Sequence, residues 1–131
     1  MTDEPRTTVL IVDDDEDMRV LVKLQLELSG HIEVVAEAID GIDALDSFVR
    51  LDPPPVPHVV LLDNRMPGMT GLEVAALLRE RVPVQRIILF SAYLDDATVA
   101  QARDLGITEV VSKSDVKDLA EIILRVQNSG S

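Results

Sequence analysis

A chain of 131 residues is the size of one domain, long enough to bury roughly two thirds of the surface its unfolded form exposes. Its 24 acidic against 12 basic residues leave a net charge of -12, which excludes an electrostatic footprint for nucleic acid or an anionic membrane on this chain. No cysteine is present, so disulfides, thiolate metal sites and thiol nucleophiles are excluded. No signal-peptide core and no apolar run near the roughly 18 residues of a membrane helix is found either, and a cytoplasmic protein is expected.

Taken in chain order, short apolar runs alternate with longer amphipathic ones. The strands read as Thr8 to Val12, Ile32 to Ala38, His58 to Leu62, Arg86 to Phe90 and Glu109 to Ser112, each short, rich in β-branched residues and bounded by turn residues. The helices read as Asp17 to Ser29, Asp40 to Leu51, Gly71 to Arg81, Asp95 to Leu105 and Asp115 to Gln127. Several begin at an acid able to cap free amides, and Gly30 and Gly106 are the expected stop residues of the first and fourth. Five alternations predict a parallel sheet with helices on both faces, because right-handed crossovers are the connection that works. The expected unit is a single domain over 1–131, with a core of about 8–127 between disordered ends and a stiff proline-rich connector, LDPPPVPH, from Leu51 to His58.

The first helix is the ambiguous element. VLVKLQLEL, Val20 to Leu28, alternates almost as a strand does, yet Arg19, Lys23 and Glu27 form one polar stripe at helical spacing. Length and the need for a crossover favour helix. Its wide apolar arc is then either mostly buried, or partly a docking surface at Val20, Val22 or Leu26.

The residues able to carry chemistry sit where strands end. In VVLLDNRMPGMTGLEV four apolar residues lead into Asp63, and the following turn residues stop the strand. After the first strand comes DDDED, Asp13 to Asp17, which alone is as well explained by helix capping. In doubly wound sheets the first and third strands lie side by side where the strand order reverses, and adjacent strands are about 4.8 Å apart. Asp13, Asp14 and Asp63 would then share one small site, and like charges so close oppose common ionisation unless a cation joins them. A donor set of oxygens alone indicates a hard ion such as Mg²⁺. Ser91 at the end of the fourth strand and Lys113 after the fifth could add a hydroxyl and an ammonium for a phosphoryl group.

The segments VLIVDDDEDMR, VVLLDNRMPGMTGLEV, IILFSAY and VVSKSD, in this order and spacing, resemble the receiver domain of bacterial two-component response regulators. The resemblance implies a flavodoxin-like doubly wound sheet of five parallel strands, order 2-1-3-4-5, with five helices. It implies Asp63 as phosphoacceptor, and Mg²⁺ held by Asp13, Asp14, Asp63 and the backbone carbonyl of Arg65. Ser91 would bond the phosphoryl group, and Lys113 would pair with Asp63 and then with the phosphate. Asp40 and Gly41 match a structural turn. The implied partners are a sensor histidine kinase or phosphotransfer protein and a downstream protein or C-terminal output domain, with a homodimer through helix four, strand five and helix five as a family possibility. The implied role is a signalling switch that assists its own phosphorylation and dephosphorylation, not an enzyme acting on a separate substrate.

Two positions depart from the family pattern. Ser114 stands where proline usually follows the lysine with a cis bond, and Val110 stands where many members carry an aromatic residue that swings inward, leaving Tyr93 as a candidate substitute. Arg65 and Tyr93 lie at positions that tune autodephosphorylation in this family. Two alternatives stay open: a receiver-like interaction module that works without phosphorylation, and a small Mg²⁺-dependent phosphohydrolase, for which Asp13 and Asp15 have the acid spacing of the haloacid dehalogenase family.

Overall fold

The computed structural model describes residues 6–50, 56–107 and 109–128. The ends expected to be disordered and most of the proline-rich connector lie outside the described residues. Five strands, β1 (Thr7–Val12), β2 (Ile32–Ala38), β3 (Val59–Leu62), β4 (Arg86–Ser91) and β5 (Glu109–Ser112), alternate with α1 (Glu16–Leu28), α2 (Gly41–Arg50), α3 (Gly71–Arg81), α4 (Asp96–Asp104) and α5 (Leu119–Asn128). All strand pairs are parallel and the order is β2-β1-β3-β4-β5, the flavodoxin-like arrangement expected. β3 is central and wholly buried, which is why VVLL has no polar alternation.

Side chains of successive strand residues point to opposite faces and build two cores. Leu10, Val12, Val60, Leu62 and Leu89 pack with Phe48 of α2 and Val74 and Leu78 of α3. Val9, Ile11, Leu61, Ile88 and Phe90 pack with Val22 and Leu26 of α1 and Leu119 and Ile123 of α5.

The ambiguous first segment is helical. Asp15, two residues before the expected start, is its cap and accepts the N–H groups of Asp17 and Met18. Its arc divides between the two expectations. Val22 and Leu26 are core, which removes them as docking candidates, while Val20 is exposed together with Leu21, Leu24 and Leu28. Thirteen residues of helix turn a wider apolar arc than one sheet face can cover.

The last helix differs most from expectation. Instead of starting at Asp115, the chain passes from β5 into a 3-10 segment, Lys113–Asp118, that kinks at Asp115 before α5 begins at Leu119. Ser112 causes the early turn: its hydroxyl accepts the N–H of Ser114 at 3.3 Å and pairs with the Ser114 hydroxyl at 2.9 Å. Proline at this position could not donate that bond.

Candidate functional site

Two acids of the site are placed by backbone hydrogen bonds that carry the ladder one residue past a strand. Asp13 N–H donates to Ala38 O at 3.0 Å and Asp63 N–H to Val12 O at 2.9 Å. The two carboxylates are thereby held by the sheet itself, and both are buried, at 2 % and 4 % exposure. Asp14 is exposed beside them, and one carboxylate oxygen from each of Asp13, Asp14 and Asp63 lies within 4.8 Å of the others. The strand order has brought together acids that lie far apart in the sequence.

Lys113 supplies the counter-charge. Its Nζ is 2.7 Å from Asp13 Oδ2 and 3.2 Å from Asp63 Oδ2, so it pairs with both acids and lies nearer to Asp13 than to its expected partner. Burial pushes the Asp63 carboxyl above the ordinary carboxylate range; the Lys113 ammonium opposes that rise and the Asp13 charge adds to it. Burial lowers the Lys113 ammonium, but hydrogen bonding and attraction from Asp13 and Asp63 outweigh it and hold the group above its usual range. One ammonium against three acids leaves an excess of negative charge made wholly of oxygen donors, which fits a hard divalent cation that retains water. An open cleft of about 550 Å³ lined by Asp14, Asn64, Arg65, Met66, Pro67 and Thr70 gives access to this end of the sheet.

The loop after Asp63 is tied down at both sides. Arg65 N–H donates to Asp63 Oδ1 at 3.3 Å, and Asn64 accepts the Gly71 N–H on its carbonyl and the Leu72 N–H on its side chain. Thr70 and Glu73 form a reciprocal capping box that starts α3. Gly68 takes the left-handed conformation at φ 83° that the turn needs. At Gly71 a Cβ would collide with the carbonyl oxygen of Asp63, so this helix starts against the phosphoacceptor candidate's own backbone. Gly71→Ala is expected to destabilise the protein by roughly 1–3 kcal/mol in a thermal or urea unfolding measurement, and to disturb Asp63 amide NMR shifts more than those of distant β2 residues.

Ser91 is at the expected strand end and fully buried. Its hydroxyl donates to Tyr93 O and accepts from Tyr93 N–H, both at 3.4 Å, rather than reaching an acid. Asp40 carries out its structural role by accepting the Asp43 N–H at 2.8 Å, and a Cβ on Gly41 would press on Met69 and Val74. Asp15, the second acid of the phosphohydrolase alternative, is committed to the α1 cap. The cap uses one carboxylate oxygen, Oδ1, of Asp15.

Two features were not foreseen. Arg19 Nη1 donates to Asp13 O at 2.7 Å while its Nε pairs with Glu37 at 3.3 Å, bracing the acid loop against β2. The polar stripe of α1 was its signal, but helical periodicity cannot say that one member reaches back to the end of β1. The Arg65 guanidinium lies 4.9 Å from the centre of the Tyr93 ring, joining the β3–α3 and β4–α4 loops.

A doubly wound sheet of this order, with an acid cluster and a lysine at the carboxyl ends of β1, β3 and β5, defines the receiver class of signalling domain. The chain belongs to the response regulator receiver domain family, whose model matches residues 9–124. It is 40% identical over 104 residues to NarL of Mycobacterium tuberculosis, covering 79% of this chain and 46% of that protein. It is 30% identical over 124 residues to the response regulator protein VraR of Staphylococcus saprophyticus, covering 94% and 57%. The solved signal receiver domain of M. tuberculosis NarL superposes with a TM-score of 0.85 at 35% identity, covering 95% of this chain and 98% of that one. The response regulator domain of Thermotoga maritima CheB gives 0.83 at 25% identity, covering 94% and 97%. The chain spans about half the length of the curated relatives it matches. Among the described residues no helix is long and apolar enough to cross a membrane.

Proposed function

We propose that the chain is a phosphoryl-accepting switch of a two-component phosphorelay, a single cytoplasmic receiver domain over 1–131, with Asp63 as phosphoacceptor. The observation that carries this reading is the buried Asp63 carboxylate, fixed at the end of β3 and sharing one cluster with Asp13, Asp14 and Lys113. An Asp63 oxygen attacks the phosphorus of a phosphohistidine on a sensor kinase or phosphotransfer protein. The phosphorus–nitrogen bond breaks, the ring nitrogen keeps the electron pair, and an acyl phosphate forms. The rigid position of Asp63 is what in-line attack requires.

Asp13, Asp14, Asp63 and the Arg65 carbonyl would hold Mg²⁺, which when bound supplies positive charge to the phosphoryl oxygens. Lys113 holds the acids together beforehand and then follows the transferred charge. Ser91 donates to a phosphoryl oxygen once its hydroxyl leaves Tyr93. The longer relatives support a downstream output domain or protein as the reader of the switch, and the net charge of -12 argues against direct nucleic-acid contact by this chain. Among the described residues, no large exposed hydrophobic lies on α4, β5 or α5. On that face Glu109 and Arg125 form an ion pair within the chain.

Mg²⁺ at ten times its dissociation constant is expected to raise unfolding stability by about 1.4 kcal/mol, and Asp13→Asn to remove most of that gain. The reading itself is tested by amide NMR with Mg²⁺ and beryllofluoride. Shifts spreading from Asp63 to Ser91 and Lys113, and lost in Asp63→Ala, are expected. A folded wild type that shows no Mg²⁺-dependent shift would instead be a receiver-like module that binds partners without phosphorylation.

A further inference from the structure

Arg65 contacts both ends of the switch. Its backbone N–H donates to the Asp63 carboxylate at 3.3 Å, and its guanidinium stacks 4.9 Å from the centre of the Tyr93 ring. Tyr93 in turn uses both of its backbone groups to satisfy the buried hydroxyl of Ser91, each at 3.4 Å. The chain of contacts therefore runs from Asp63 through Arg65 and Tyr93 to Ser91, across the β3–α3 and β4–α4 loops.

We propose that the Arg65–Tyr93 stack is a latch that holds the β4–α4 loop in its unphosphorylated arrangement and keeps the Ser91 hydroxyl on the Tyr93 backbone, making Tyr93 and Arg65 positioning residues for Ser91. The inference rests on Asp63 being the phosphoacceptor. A phosphoryl group on Asp63 brings new acceptor oxygens, and the single Ser91 O–H can donate to one only by giving up its donation to Tyr93 O. The ring that stacks on Arg65 and the backbone that holds Ser91 belong to one residue, so movement of that backbone strains or breaks the stack. With Val110 at the position where many receivers carry an aromatic, packed at the edge of the core, Tyr93 is the aromatic side chain available to the switch.

The coupling has to be reciprocal: whatever the stack contributes to the latched state, phosphorylation must overcome, and its loss must favour the phosphorylated arrangement by the same factor. For a cation over an exposed aromatic ring that factor is about two- to five-fold.

The sequence supplies its own probe. Tyr93 is the only tyrosine and there is no tryptophan, so ultraviolet emission excited in the tyrosine band reports on this ring. The experiment titrates the full chain with beryllofluoride at saturating Mg²⁺, reading adduct formation by fluorine NMR and Tyr93 emission in parallel. The expected result has three parts. Wild-type emission moves with the adduct towards the level shown by Arg65→Ala before any addition. Tyr93→Leu, which leaves the Arg65 charge in place, forms the adduct with an apparent affinity about two- to five-fold tighter, matching the stacking factor. In a Ser91→Ala background the same Tyr93→Leu change has no effect on affinity, an outcome that a merely structural role for the ring would not produce. Adduct formation with unchanged Tyr93 emission, or with equal affinity in wild type and Tyr93→Leu, would overturn the latch while leaving the phosphoacceptor intact. Absence of any adduct in folded wild type would overturn both.

Discussion

Lys113→Met is expected to lower stability by about 3 kcal/mol in metal-free buffer, because it leaves the Asp13 and Asp63 carboxylates buried without a counter-charge. The loss is far greater than that of an exposed ion pair, which is worth at most about 1 kcal/mol. Mg²⁺ should return much of it, since a cation held by the same oxygens takes over the neutralisation. Urea unfolding with and without Mg²⁺ checks both statements: the metal is expected to stabilise Lys113→Met more than wild type. An equal increment in the two proteins would mean that lysine and metal do not share the acids.

Asp63→Asn is expected to melt at a higher temperature than wild type in metal-free neutral buffer. The folded Asp63 carboxyl titrates above its unfolded value, chiefly through burial. A raised carboxyl makes the folded state bind protons more tightly, so its favourable contribution exists at low pH and is lost as pH rises through the folded value. At neutral pH the ionised group therefore opposes folding, and the neutral amide relieves that opposition while keeping the shape. The advantage of Asp63→Asn should shrink as pH falls through the folded value towards the unfolded value of 3.8. Thermal melts of both proteins across that range decide the sign; a variant less stable than wild type at neutral pH would show that the Lys113 bond outweighs burial. A higher melting temperature for the variant would fit the proposed nucleophile, a group placed where water is scarce at a cost to stability.

The strand–helix alternation was legible because the strands are short and branched, several helices start at a capping acid, and Gly30 and Gly106 stop the first and fourth. The meeting of Asp13, Asp14 and Asp63 followed from strand order alone, since in a parallel sheet the ends of β1 and β3 must adjoin. What local pattern could not show was the division of a wide apolar face. Val22 and Leu26 differ from Val20 and Leu24 only in which side of α1 the sheet covers. The 3-10 entry to α5 was hidden for another reason: it depends on the Ser112 hydroxyl, and serine reads equally well as a strand end or a cap. Arg19 stood in the polar stripe of α1, but its reach to Asp13, like the Arg65–Tyr93 stack, is a contact between segments that helical periodicity does not report.

Everything proposed for the switch depends on Asp63 accepting a phosphoryl group. Intact mass after incubation with acetyl phosphate and Mg²⁺, beside Asp63→Asn and a sample with the metal chelated, reads that step without intermediaries. The expected outcome is a gain of one phosphoryl group in wild type, located to Asp63 after proteolysis and lost in both controls. An unchanged wild-type mass, or a phosphoryl group that persists in Asp63→Asn, would contradict it.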